Sequence, residues 1–174
     1  PVLLSFENLK ASPKEEFYSF FNHQLIRGLA EYDIRTDLSI HNAVSLVLFL
    51  EKIRKQTKHL VIIIDEFEGI PDCVSGELMH SFRLIYHQRQ FYSLHSLILV
   101  GVSTVAELVM SSASPFNIAD ELQVPYFTFD EVSGLIGQYT KESGQSFEPE
   151  VIRAVYKNTA GQPGLVCALC SFMV

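Results

Sequence analysis

The stretch Leu60–Asp72, LVIIIDEFEGIPD, decides the fold of this chain. Its first five residues are apolar, four of them are β-branched, and they lead directly into Asp65 and Glu66. A continuous apolar run of this length, followed by turn-forming residues, is typical of a strand buried on both faces of a parallel sheet. The two acids then lie at the carboxyl end of the strand, which is where open α/β sheets bind their ligands.

Two acids directly after an apolar strand form the layout of a Walker B segment. In such a segment the first acid, here Asp65, holds Mg²⁺, and the second, here Glu66, polarises the water that attacks the γ-phosphate of ATP. The alternative is a buried strand that ends in a solvated acidic turn, and the short pattern alone does not choose between the two. A metal-dependent nuclease built on Asp65, Glu66, Glu68 and Asp72 would need further acids or a lysine on neighbouring strands, and none stands out.

Composition narrows the class of protein. The chain has 174 residues, of which 48% are hydrophobic and 19% charged, so we expect one globular core, with room for a small appendage. A formal charge of −7 argues against a broad nucleic-acid-binding face. Three cysteines, the absence of a signal peptide and the absence of a membrane-length apolar run predict a cytoplasmic protein without a membrane partner. Because the chain opens on Pro1 and stops inside an apolar helical pattern, we expect a piece of a longer protein.

Strand-like and helix-like segments alternate before residue 111. We expect strands at Pro1–Phe6, Leu60–Ile64 and Ser96–Val102, and helices from Lys14 behind a Ser12–Glu15 capping box, over Ile40–Lys58 and over Glu77–Gln90. Strands separated by helices at these spacings indicate βα crossovers, so we predict an α/β fold with a parallel sheet. Three stripes are assigned to its core: Phe17, Phe20, Phe21, Leu25 and Leu29; Ala43, Val44, Val47, Leu48 and Ile53; Leu78, Met79, Phe82, Ile85 and Tyr86.

The remainder of the chain is predicted to be mostly helical. After a linker or surface loop at Ser111–Pro115 we expect one short strand or extended segment at Leu122–Pro125. A second capping box, Thr128–Glu131, begins a helix that Gly144 stops, and Pro149 and Pro163 begin two more. We therefore divide the chain into an α/β core, residues 1–124, and a small helical lid, residues 125–174.

Two features bear on nucleotide chemistry. Ser103 and Thr104 follow the third strand, where a P-loop ATPase places a sensor of the γ-phosphate; equally, Ser103 can simply cap the next helix. The phosphate cradle GxxxxGK[ST] is absent, since none of the nine glycines precedes a lysine. In P-loop topology that cradle and its helix come before the strand assigned to Pro1–Phe6.

Four short segments carry a family likeness, and they occur in order through the second half of the chain. They are Ser114–Ile118 (SPFNI), Tyr126–Thr128 (YFT), Glu142–Gln145 (ESGQ) and Gly161–Pro163 (GQP). With the acidic strand and the LILVGV strand, they make the chain similar to a widespread group of bacterial AAA-like P-loop ATPases, which are related to the STAND and AAA+ ATPases.

The resemblance implies a P-loop NTPase-like, three-layer parallel-sheet core that binds ATP and Mg²⁺, followed by a helical lid. It implies a metal-binding role for Asp65, catalytic roles for Glu66, Ser103 and Thr104, and nucleotide contacts for Gly161 and Pro163. Self-association is a further expectation, with Arg83 or Arg89 as a finger to a neighbouring subunit, alongside other protein partners. The rival hypothesis is a degenerate nucleotide-binding fold that acts as an interaction module without catalysis.

Overall fold

The computed structural model describes residues 1–102 and 120–174. The chain divides into two compact units, Pro1–Glu121 and Leu122–Val174. Ser103, Thr104 and the SPFNI segment lie outside the described residues.

The first unit contains a three-stranded parallel sheet in the order β1-β2-β3. The strands are β1 (Val2–Ser5), β2 (Leu60–Asp65) and β3 (Leu94–Leu99). The prediction of a parallel sheet in an α/β fold is confirmed, with the acidic strand at the centre. Because β2 pairs with a strand on each side, Asp65 at its end and Glu66 directly after it lie between the ends of two neighbouring strands.

Three helices connect the strands. Between β1 and β2 come α1 (Lys14–Ala30) and α2 (Ala43–Lys52), which continues into a 3₁₀ turn at Ile53–Lys55, and between β2 and β3 comes α3 (Asp72–His87). The capping box predicted at the start of α1 is wrong, because Pro13 takes the N-cap position and has no side-chain acceptor. Helix α2 begins later than predicted, because Asn42 caps it by accepting a hydrogen bond from the Ser45 N–H at 2.8 Å.

One face of the sheet is covered by all three helices. The alternate residues Leu4 and Ile64 are fully buried in a single core with aromatic side chains of α1, and the Phe6 ring lies 5.0 Å from that of Phe17. Four residues predicted to be in the core are instead exposed on their helices: Phe20 at 42%, Val44 at 69%, Leu48 at 51% and Tyr86 at 51%. The buried stripes are displaced around the helices relative to the prediction: Tyr18 is buried in α1, and Leu46, Phe49 and Leu50 are buried in α2.

The other face of the sheet is largely open in the described residues. Leu3, Ile63 and Ile98 form one row across the three strands, and Leu3 and Ile98 are 65% and 46% exposed. Crossovers between parallel strands are right-handed, so two crossovers that step in the same direction put their helices on the same face. The residues described in this unit form two layers, the sheet and the helices that cover one of its faces, and the predicted third layer stays a prediction.

The second unit contains three helices, α4 (Phe129–Ser143), α5 (Pro149–Thr159) and α6 (Pro163–Ser171). The predicted capping box of α4 is confirmed, with Thr128 and Glu131 bonded reciprocally, and Gly144 ends the helix at a φ of 78°. Of the two alternatives expected at 122–125, the short strand is not formed, and Leu122 is 88% exposed. A small core holds the helices together, formed by Val132, Ile136, Val155 and Val166.

Among the described residues, no helix combines the length and the apolar character needed to cross a membrane.

Candidate functional site

Two strand ends meet at the centre of the candidate site. Ser5, the last residue of β1, is the register partner of Asp65, the last residue of β2. Asp65 is exposed and lies on the same face of the sheet as Ile63, because side chains alternate along a strand. Its carboxylate is therefore on the open face, at the carboxyl end of the central strand.

Glu66 has a left-handed backbone, with φ 53° and ψ 47°. Its N–H donates to Oδ1 of Asp65 at 3.0 Å, which holds the two acids together. For a residue other than glycine this conformation costs about 1–2 kcal/mol. Such strain is kept where the surrounding structure imposes it, and it is concentrated at functional sites.

The Glu66 side chain is tied to β1. The Ser5 hydroxyl donates to Oε2 of Glu66 across 3.3 Å. Ser5 is itself held by Gln24 of α1, whose side-chain amide accepts from the Ser5 N–H at 3.0 Å and donates to the Ser5 carbonyl at 2.7 Å. The sequence analysis missed Ser5 and Gln24; the one signal was a hydroxyl residue at the end of an otherwise apolar strand.

Glu68 brings a further carboxylate to the same edge of the sheet. Its Oε1 accepts from the Val102 N–H at 3.0 Å, just beyond the end of β3. Its Oε2 is buried and has no hydrogen-bond partner among the described residues. A Cβ at Gly101 would lie 2.2 Å from that oxygen and 2.6 Å from the Phe67 ring, so a larger residue there would require both side chains to shift.

Glu66 and Glu68 border an open depression of about 390 Å³, which is lined by Glu7, Asn8, Lys10, Glu66, Glu68 and Gly69, whereas Ser5 and Asp65 are not among its lining residues. Lys10 is held at its rim by an ion pair with Asp72 at 2.6 Å and by the Ile70 carbonyl at 3.2 Å. Asp72 is therefore occupied by a lysine. This weakens the nuclease hypothesis, which needs Asp72 as a metal ligand.

The donor set at this edge fits a hard cation. Carboxylate and hydroxyl oxygens are the ligands that Mg²⁺ prefers, and no sulfur or imidazole is among the residues that line the depression. Within residues 1–102 and 120–174 no group of three or more His, Cys, Asp or Glu side chains is arranged to hold a metal ion by itself. A magnesium ion here would have to complete its shell with water and phosphate oxygens, which is how Mg²⁺ is commonly bound.

The remaining predicted site residues are placed as follows. Gly161 and Pro163 belong to the second unit, where Pro163 is the first residue of α6. Gly161 has a φ of 77°, and a Cβ there would lie 1.9 Å from the Phe127 carbonyl oxygen, so the turn itself requires glycine. Arg83 lies on α3 and Arg89 just beyond it.

No protein-family model matches the chain, and no curated protein matches its sequence. What the candidate site can do therefore follows from its own residues. These are a strained glutamate next to an exposed aspartate, a serine that holds the glutamate, and a third carboxylate whose buried oxygen has no hydrogen-bond partner among the described residues.

Proposed function

We propose that the first unit is the ATPase-type core of an AAA-like P-loop protein, in which Asp65 holds Mg²⁺ and Glu66 orients the attacking water. The observation that carries the proposal is the placement of Asp65 and Glu66 at the carboxyl end of the central parallel strand, where Glu66 has a left-handed backbone. The exposed Asp65 carboxylate is free to meet a cation, while Glu66 is fixed by its neighbours. This division suits one metal-holding acid and one water-orienting acid.

The strain at Glu66 supports a chemical role over a solvated turn. Asn8, Asp33 and Ala160 also have a positive φ, and Glu66 differs from them by its place at the end of the central strand and by its hydrogen bond to Ser5. The Ser5 hydrogen bond then serves to aim the carboxylate, because it restrains a side chain that would otherwise sample several rotamers.

Magnesium, when bound, would neutralise charge on the phosphates that react. The residues of this chain would hold it through Asp65, with Glu68 as a nearby carboxylate. Ser103 and Thr104 remain proposed readers of the γ-phosphate, and Gly161 and Pro163 remain proposed nucleotide contacts from the lid.

The open face and one edge of the sheet favour the addition of a phosphate-binding unit. The outer edge of β1 is occupied at Ser5 by the Gln24 side chain, whereas no strand among the described residues pairs with the outer edge of β3. A strand added beside β3 and joined to β1 by a helix would bring that helix over the row that contains Ile98. The helix would begin at the carboxyl end of the sheet, close to Asp65, where its N-terminus could bind phosphate.

The first test uses the proposed longer protein that contains these 174 residues and a phosphate-binding unit, here called the full-length protein, and measures its nucleotide binding by calorimetry with and without Mg²⁺. We expect Mg²⁺ to tighten ATP binding by the parent. In Asp65→Asn this gain in ATP affinity should be smaller by at least about tenfold, because a charge-assisted contact to the ion is removed. Asp37→Asn, an exposed aspartate between α1 and α2, is the matched control and should bind as the parent does. Equal Mg²⁺ dependence in Asp65→Asn and the parent would contradict the metal assignment.

The second unit gives the rival hypothesis its support. An apolar pocket of about 280 Å³ lies between α4 and α6 and is lined by Leu135, Tyr139, Phe147, Cys170 and Met173, among others. A pocket of this kind can receive an apolar side chain of a protein partner. If the chain is an interaction module without catalysis, Leu135→Asp should abolish binding of the protein partner, whereas Asp65→Asn should leave partner binding unchanged.

A further inference from the structure

Two histidines meet at the amino end of the sheet, at the opposite end of β2 from Asp65. His59 immediately precedes β2, and His95 lies near the start of β3. Their ring centroids are 5.7 Å apart with the planes inclined at 57°, and both residues are exposed. Neither residue contributes to the core or to the acidic edge.

A β-bulge brings His95 into this position. Leu60 pairs with Leu94, but Val61 pairs with Ser96, so His95 is the extra residue between two ladder positions. A bulge re-aims the side chain of the inserted residue, and bulges are frequent beside functional sites. Here the inserted residue is the one whose ring meets His59.

The side chain of Ser96 contacts the His95 ring. The hydroxyl of Ser96 lies 2.8 Å from Nδ1 of His95. When Nδ1–H donates to that oxygen, the lone pair of Nε2 is free to bind a metal. Metal-binding histidines usually donate their second ring N–H to an oxygen in this way, which fixes the tautomer.

We propose that His59 and His95 form a binding site for a divalent transition-metal cation of the Zn²⁺, Co²⁺ or Ni²⁺ class, completed by water. Imidazole nitrogen is a preferred ligand of these ions, and a metal–nitrogen distance of about 2.0–2.1 Å puts two rings that share one ion at centroid separations on the order of 5–6 Å. The observed centroid separation of 5.7 Å falls in that range. The site does not depend on the ATPase proposal, since it uses none of the same residues.

The test is a titration of the 174-residue chain with Co²⁺, followed by absorption spectroscopy, and with Zn²⁺ by calorimetry. We expect one ion per chain, with affinity lowered at least tenfold in His59→Ala and in His95→Ala. Ser96→Ala should weaken binding about tenfold, because the oxygen that orients the ring is removed. His23→Ala and His80→Ala, which remove exposed histidines of α1 and α3, are the matched controls and should bind as the parent does.

Thiol ligands are distinguished in the same experiment, because Cys167 and Cys170 lie three residues apart on α6. Absence of the thiolate-to-cobalt charge-transfer band supports the histidine site, whereas its presence together with unchanged binding in both histidine variants overturns the proposal. No binding of Co²⁺ or Zn²⁺ by the folded parent also overturns it. Melting temperatures equal to that of the parent will show that the two variants fold.

Discussion

The hydroxyl of Ser5 donates a hydrogen bond to Oε2 of Glu66 across 3.3 Å, and it joins two residues that are 61 positions apart in the chain. The side chain of Gln24, on α1, is hydrogen-bonded to the main chain of Ser5. The Glu66 carboxylate is therefore connected to α1 through Ser5. The glutamate is therefore restrained both by its own backbone and by a neighbouring strand.

Removing that hydroxyl should lower turnover more than binding. In the full-length protein we expect Ser5→Ala to reduce kcat for ATP about tenfold, which corresponds to the loss of one hydrogen bond to a charged group. The KM should change little, and Ser5→Thr should retain most of the activity because its hydroxyl can make the same bond. Ser19→Ala, at an exposed position of α1, is the control. Equal losses in the alanine and threonine variants would count against a positioning role.

Glycine should be tolerated better than alanine at position 66. We expect Glu66→Gly to exceed Glu66→Ala in free energy of unfolding by about 1 kcal/mol, since only glycine adopts the left-handed conformation without steric cost. At Glu51, an exposed position in α2, the order should be reversed by a similar amount because glycine weakens a helix. Urea unfolding of the four variants measures both differences, and the same order at both positions would refute a strained Glu66.

Glu77 should make stability depend on pH. Burial raises the pKa of this carboxyl, but the hydrogen bonds from Lys14 and Tyr18 outweigh burial and hold the pKa below its usual value. A carboxyl with a lowered pKa contributes stability above its unfolded-state pKa, and this is lost as pH falls through the folded-state value. We therefore expect Glu77→Gln to cost about 1–2 kcal/mol at pH 7, and the difference from the parent to shrink below about pH 4.

The measurement is urea unfolding of the parent and of Glu77→Gln at a series of pH values between neutral and acidic. Glu16→Gln, at an exposed position of α1, should show no such pH-dependent difference. A cost of Glu77→Gln that stays constant with pH would mean that the carboxylate charge is not what links α1 to α3.

The open sheet face should matter in the full-length protein and not in the isolated chain. We expect Ile98→Lys to change the free energy of unfolding of the 174-residue chain by less than about 1 kcal/mol, because the side chain is already half exposed. In the full-length protein the same substitution should abolish ATP binding if a phosphate-binding helix packs on this face. Val44→Lys, on the exposed side of α2, should be harmless in both. If Ile98→Lys changes neither the stability of the 174-residue chain nor ATP binding by the full-length protein, the open face no longer supports the ATPase proposal.

Sequence patterns predicted the parts of the fold that depend on local chemistry. The apolar run of β2 and the acids behind it are visible in the sequence, as are the capping box at Thr128 and the stop at Gly144. The prediction from helical periodicity was wrong at Phe20, because the spacing of apolar residues indicates one side of a helix but does not fix which residues on that side are buried.

The features that the sequence did not reveal depend on contacts between distant residues. The Ser5–Glu66 contact requires the register of β1 against β2, which no local pattern contains. The open face could not be foreseen because β2 is apolar on both sides, and only the direction of the two crossovers decides which side the helices cover.

The most direct test of the central claim separates ATP binding from turnover in Glu66→Gln of the full-length protein. The substitution keeps the size of the side chain and removes the charge that orients water. We predict that Mg²⁺-dependent ATP binding stays within about twofold of the parent, while kcat falls by at least about 100-fold, the scale at which a positioned general base contributes. Glu16→Gln should match the parent in both measurements. Unchanged turnover in Glu66→Gln would contradict the assignment of Glu66, and with it the ATPase proposal.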